Sequence, residues 1–162
     1  MNRNSISWGL TIFLMFFLSG CEESSWEQQE QRMISDYLKT LGDTAYVLYP
    51  SGLYYIELQE GTGPSPTEND TVYFKYKAQF LNYVTWDTND PDSIPLKYPM
   101  GIDTLVKGVD EGLKYMKAGG VARLLTPSSL AFGFEGIWQL VPGYTPLLWE
   151  ITLDSVIPGP KK

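Results

Sequence analysis

Leu96-Lys97-Tyr98-Pro99-Met100-Gly101-Ile102-Asp103-Thr104-Leu105-Val106-Lys107-Gly108-Val109-Asp110-Glu111-Gly112-Leu113-Lys114-Tyr115-Met116 is the stretch on which the fold turns. Leu96, Tyr98 and Met100 alternate with Lys97 and Pro99, the period of a half-buried strand. Gly101 ends the alternation. Leu105, Val106, Val109, Leu113 and Met116 then recur at helical spacing, with Lys107, Asp110, Glu111 and Lys114 between them. The helix is short and carries Gly108 and Gly112 inside it. An interior glycine costs about 1 kcal/mol relative to alanine, so two of them predict a neighbour packed very close. An ordinary amphipathic helix over a sheet accounts for this pattern. The sharper expectation is that Leu105, Val106 and Val109 floor an apolar pocket.

Strands lie on both sides of this unit. Upstream, Tyr46 to Tyr49 and Leu53 to Leu58 flank a Pro50-Ser51-Gly52 turn. Val72, Phe74, Tyr76, Ala78 and Phe80 alternate with Tyr73, Lys75, Lys77 and Gln79, so one face is buried and one is wet, as in an antiparallel sheet. Residues 82–95 read as a long connection carrying Trp86-Asp87. Downstream, Lys117-Ala118-Gly119-Gly120 turns into a strand from Val121 to Thr126. A loop to Gly133 and a second apolar loop, Phe134 to Tyr144, lead to a last strand from Pro146 to Val156. In that strand Leu147, Trp149, Ile151 and Leu153 alternate with Leu148, Glu150, Thr152 and Asp154. The expected fold is α+β: an antiparallel sheet of about five strands wrapped around one short helix.

Two loop motifs resemble ligand sites and fail on their own chemistry. Gly61-Thr62-Gly63-Pro64-Ser65-Pro66 lacks the helix a dinucleotide fingerprint needs, because the prolines forbid it. Thr88-Asn89-Asp90-Pro91-Asp92 puts Pro91 where a calcium loop needs a ligand.

The 162 residues suit one domain, with 43 % hydrophobic and 14 % aromatic content to build its core. A net charge of −7 argues against a nucleic-acid partner. With no histidine and one cysteine, histidine triads, zinc sites of the usual ligand types and a disulfide framework are excluded. No cofactor or metal is expected.

Residues 1–20 read as a signal peptide. Arg3 supplies the positive charge, and Trp8 to Leu18 is an apolar run too short for a membrane span of roughly 20 residues. The run ends in Leu18-Ser19-Gly20-Cys21, which resembles a bacterial lipobox and holds the chain's sole cysteine. On that reading Cys21 carries lipid and anchors the mature chain in the cell envelope, at the outer membrane, on the periplasmic or surface side. Residues 21–45 read as a tether and a helix, with Trp26, Met33, Ile34, Tyr37, Leu38 and Leu41 on one face and Gly42 as its stop. The helix packs on the domain, acts as a spacer or self-associates; its pattern does not choose, and the oligomeric state stays open.

From Gly52 to Val156 the chain resembles the FKBP-type peptidyl-prolyl cis-trans isomerases. The resemblance rests on Ser51-Gly52-Leu53-Tyr54-Tyr55 with Glu60-Gly61-Thr62-Gly63, on Val72, Phe74 and Tyr76, on Trp86-Asp87, on Leu105-Val106-Lys107-Gly108-Val109-Asp110-Glu111-Gly112-Leu113, and on Leu130-Ala131-Phe132-Gly133. It implies an FKBP-like domain over residues 46–157, a tail from 158 to 162, and a pocket for proline-containing polypeptides. Tyr76, Trp86, Tyr98 and Trp149 stand where family aromatics form walls, and Leu96 where a further wall ring is usual. Val109 lies where most members have a tryptophan floor. Leu105 and Val106 match the pair whose backbone holds the bound chain. Phe132 matches a tyrosine that donates a hydrogen bond, Ile137 and Val141 lie in the overhanging loop, and Asp87 matches the pocket's carboxylate. Asp87, Tyr76 and Phe132 are thus the implied catalytic positions. For Asp87, orienting pocket groups and capping local amides remain alternatives. Asp92 stands where some members place a basic partner for that carboxylate. The implied activity is prolyl isomerisation as a folding helper for exported proteins. The competing expectation, from Val109 and Phe132, is a weak or inactive module that binds peptides or a partner protein.

Overall fold

The computed structural model describes residues 25–42, 44–89, 94–101 and 105–160. The signal peptide, Cys21 and Asp92 lie outside the described residues.

The chain opens with helix α1 (Ser25–Thr40), closed by Gly42 at φ 59°. Strands β1 (Val47–Leu48), β2 (Tyr54–Gln59), β3 (Thr71–Phe80), β4 (Thr85–Thr88) and β5 (Leu96–Pro99) follow, then helix α2 (Lys107–Tyr115) and strands β6 (Val121–Thr126) and β7 (Leu147–Ile157). All are antiparallel in one seven-stranded sheet of order β1-β2-β6-β7-β3-β4, with β5 paired to the other half of β3. The sheet has seven strands against the five or so expected, and one of them, β4, lies inside residues 82–95, which the sequence pattern presents as a long connection. It pairs with β3 through Lys77–Thr88, Ala78–Asp87 and Gln79–Thr85, so Trp86 and Asp87 sit on a hydrogen-bonded ladder.

α2 lies across one face of the sheet. Val109, Leu113 and Met116 pack there with Val72, Phe74, Leu124, Leu147, Trp149, Ile151 and Leu153. The two helix glycines have the close neighbours their cost predicts. A Cβ on Gly112 would stand 2.2 Å from Leu124 Cδ1, and one on Gly108 would stand 2.4 Å from Thr126 Cγ2. β6 therefore runs almost against the α2 backbone.

α1 covers the opposite face, which settles the choice between packing and spacer. Ile34 and Tyr37 bury against Leu125 and Leu148, with Leu38, Leu41, Tyr54 and Leu81 around them. Consecutive leucines on β6 and β7 thus point to opposite helices, as the period of two requires.

Gly112→Ala tests the close approach. Alanine is the better helix former by about 1 kcal/mol. The added methyl nevertheless meets a fully buried Leu124, so the variant should lose about 1–3 kcal/mol of stability to overpacking. Denaturant titration reads the sign: a more stable Gly112→Ala protein would mean α2 stands further from β6 than described.

Candidate functional site

One end of α2 and the strands around it enclose an apolar cavity of about 210 Å³. Phe74 and Tyr76 reach it from β3, Trp86 and Asp87 from β4, and Leu96 from the start of β5. Leu105 and Val106 line it where the chain turns into α2, and Val109 comes from the helix itself. Phe132 and Ile137 lie on the β6–β7 connection, and Trp149 on β7.

Five rings form the body of the cavity. Trp149 is their hub, with centroids 6.2 Å from Tyr76, 5.6 Å from Trp86 and 6.4 Å from Phe132. Trp86 meets both Trp149 and Phe132 edge to face, at 83° and 76°, an arrangement that ring quadrupoles favour. Phe74 extends the row at 6.2 Å from Tyr76. Val109, on the helix side, carries no ring and is 1 % exposed.

Hydrogen bonds aim these rings. The Trp149 indole N–H donates to Thr126 Oγ1 at 3.0 Å, and that hydroxyl donates to the Leu147 carbonyl at 3.3 Å. The Tyr76 hydroxyl donates to Asp87 Oδ2 at 2.8 Å, while Asp87 Oδ1 accepts from the Thr88 amide at 2.9 Å. Both readings of Asp87 therefore describe it: one oxygen orients Tyr76 and the other caps its own strand. The Asn89 side chain pegs β3 by accepting from the Tyr76 amide at 2.7 Å and donating to the Phe74 carbonyl at 3.4 Å. The Trp86 indole N–H is buried and has no acceptor among the described residues.

Ten of the twelve expected pocket positions come together, and two do not. Tyr98 lies in the core behind the cavity, 5 % exposed, with its hydroxyl donating to Asp110 Oδ1 at 3.0 Å. Its strand alternates correctly, but the lining position on that face belongs to Leu96, at the rim. Val141 is 2 % exposed and also faces the core. It closes a tight turn with Ile137, whose amide donates to the Val141 carbonyl at 2.7 Å, and only Ile137 is left to overhang the cavity. Phe74, Asn89 and Thr126 were missed. Phe74 shares the period-two face of Tyr76, a signal that was present. The side chains of Asn89 and Thr126 act on partners that spacing does not reveal.

Residues 63–154 match the family of FKBP-type peptidyl-prolyl cis-trans isomerases. The chain is 33 % identical over 111 residues to the FKBP-type peptidyl-prolyl cis-trans isomerase FkpA of Escherichia coli, covering 68 % of this chain and 40 % of that one. It is 30 % identical over 105 residues to the FK506-binding protein of Neisseria meningitidis, covering 65 % of this chain and 96 % of that one. A solved peptidyl-prolyl cis-trans isomerase from Pseudomonas syringae superposes with a TM-score of 0.70 at 26 % identity, covering 84 % of this chain and 98 % of that one. The chain spans less than half the length of several curated relatives it matches.

Burial pushes the Tyr76 hydroxyl up to about 12, and its hydrogen bond to Asp87 and the negative charge there add to the shift. Burial likewise raises Tyr37 and Tyr55 to about 12. A tyrosine whose folded value exceeds its unfolded value of about 10 stabilises the fold fully below pH 10, and that stability is lost as pH rises toward 12. Stability should therefore stay flat in these groups through neutral pH and fall steeply between about pH 10 and 12. Tyrosinate absorbance followed alongside circular dichroism checks this: Tyr76→Phe should remove one late-titrating tyrosine, and early titration of all of them would contradict the buried assignment.

Proposed function

Because the chain belongs to the FKBP-type peptidyl-prolyl cis-trans isomerase family, we propose that its ring-lined cavity takes the proline of an extended polypeptide and lowers the barrier to rotation about the preceding bond. The observation that carries this is the cavity itself. It is apolar and walled by rings, and its one polar pair, Tyr76 and Asp87, is already joined.

That chemistry suits the task. An X-Pro bond rotates over about 18–20 kcal/mol and takes tens to hundreds of seconds unaided. No covalent bond breaks, so neither nucleophile nor proton shuttle is needed. The planar amide carries separated charge, negative on oxygen and positive on nitrogen, and the twisted amide carries less. Rings that exclude water disfavour the planar form relative to the twisted one, and each 1.36 kcal/mol of that difference is worth about tenfold in rate. The backbone at Leu105 and Val106 receives the chain beside the proline. Asp87 holds Tyr76 in place and moves no proton.

The finer reading places this activity at a membrane. Cys21 is lipidated, the N-terminal segment is removed, and the isomerase works in the cell envelope on exported proteins. The support is the apolar run before Leu18-Ser19-Gly20-Cys21 and the lone cysteine at its end. Cys21→Ser should abolish labelling by a radioactive fatty acid and release the protein from the membrane fraction; label retained by the variant would exclude this site.

One observation favours a second reading, a peptide-binding module without turnover. Phe132 brings no hydroxyl, and Val109 brings no ring, to positions where the family has both. Exchange spectroscopy on a panel of X-Pro peptides separates the two. Catalysis should appear, with Trp86→Ala lowering kcat/KM about tenfold or more, the worth of at least 1.4 kcal/mol of wall contact. Peptides that bind while every exchange rate stays at background would establish the module instead.

A further inference from the structure

We propose that α1 belongs to the site: Glu30 is a positioning residue that holds the turn bearing Phe132 against the cavity. This rests on reading that cavity as the proline site.

Glu30 is buried, 6 % exposed, on the face of α1 it shares with Ile34 and Tyr37. Ile34 and Tyr37 pack the helix on Leu125 and Leu148. A third apolar residue would extend that packing, whereas a buried carboxylate is costly unless its oxygens find donors. Both find them on a single residue, 98 positions away. Oε1 accepts from the Ser128 amide, and Oε2 accepts from the Ser128 hydroxyl at 2.8 Å.

Ser128 in turn brackets Phe132. Its carbonyl accepts from the Ala131 amide at 2.9 Å and from the Gly133 amide at 2.8 Å, the residues on either side of that ring. The Phe132 carbonyl accepts from Gly136 at 3.1 Å, tying the same turn to the loop that overhangs the cavity. α1 touches this connection a second time. Trp26 stacks on Tyr144 at 6.4 Å and 11°, and the Tyr144 amide donates to the Gly133 carbonyl at 2.9 Å. The helix therefore grips the β6–β7 connection from outside the sheet, at Ser128 and at Tyr144, while the cavity lies on the other face.

Released from Glu30, the turn samples positions in which Phe132 no longer completes the wall. Only the competent fraction then takes peptide, so apparent affinity falls by that fraction, while a bound peptide meets the same wall as before. Full-length Glu30→Ala should raise KM for an X-Pro peptide by about threefold to tenfold with kcat kept within about twofold. Amide exchange at Ala131 and Gly133 should accelerate by about tenfold, and exchange at Ile151 should not change. Glu30→Gln, which keeps an acceptor for the Ser128 amide, and Ser128→Ala, which keeps its amide, should fall between. Ile34→Ala, which loosens the α1 packing and leaves the carboxylate, should lower stability without moving KM. Wild-type KM and wild-type exchange at Ala131 and Gly133 in Glu30→Ala would overturn the proposal. So would an equal KM rise in Ile34→Ala, which would make α1 a support and nothing more. If the wild-type protein shows no turnover, the isomerase reading fails by itself, and the exchange rates still decide the role of Glu30.

Discussion

The structure depends on how closely one short helix approaches one strand. Gly108 and Gly112 let the α2 backbone lie against Thr126 and Leu124, nearer than any side chain on that helix face would allow. The approach fixes where the first turn of α2 ends up, and so where Val109 sits beneath the rings. It also fixes Thr126, whose hydroxyl then accepts from the Trp149 indole. A glycine pair that weakens the helix locally is offset by the packing it permits. The same pair sets the depth of the cavity.

β7 transmits that arrangement to both sides of the sheet. It pairs with β3 along its length and with β6 over six residues from Val121 to Thr126. Trp149 points to α2 and the cavity, and its neighbour Leu148 points to α1. Because successive side chains on a strand face opposite ways, one strand holds an indole of the cavity wall and the anchor of the outer helix one residue apart. α1 is thus tied to the inner face through the sheet's middle and through the β6–β7 connection as well.

What the sequence made legible was faces, and what it concealed was partners. The alternation in Val72 to Phe80 and the helical spacing in Leu105 to Met116 placed β3 and α2 almost to the residue, because burial imposes those periods. The glycines announced a close neighbour without naming it. Leu148 stands apolar among Glu150, Thr152 and Asp154 on the outer face, and α1 covers it. β4 was hidden because four residues, mostly exposed, carry no period long enough to read. Tyr98 and Val141 were placed in the lining by resemblance, since alternation tells inside from outside but not cavity from core. Glu30 was passed over because a charged residue on an apolar face looks like a defect until its partner, 98 residues on, is known.

The rings of the cavity wall lean on one another. Val109 brings no ring from the helix, and the Trp149 indole, on the strand opposite, meets three other rings. Phe132 carries no hydroxyl and presents a fully apolar edge against which Trp86 stands. Phe132 meets Trp86 and Trp149 by ring contact alone, with no side-chain hydrogen bond to fix it. A wall built this way keeps its shape only as well as its rings keep their places, because close packing and not a directed bond sets that edge. Second-layer contacts then gain weight. Thr126 on Trp149, Asn89 on the β3 backbone beside Tyr76, and Ser128 around Phe132 each help to hold one ring of that wall.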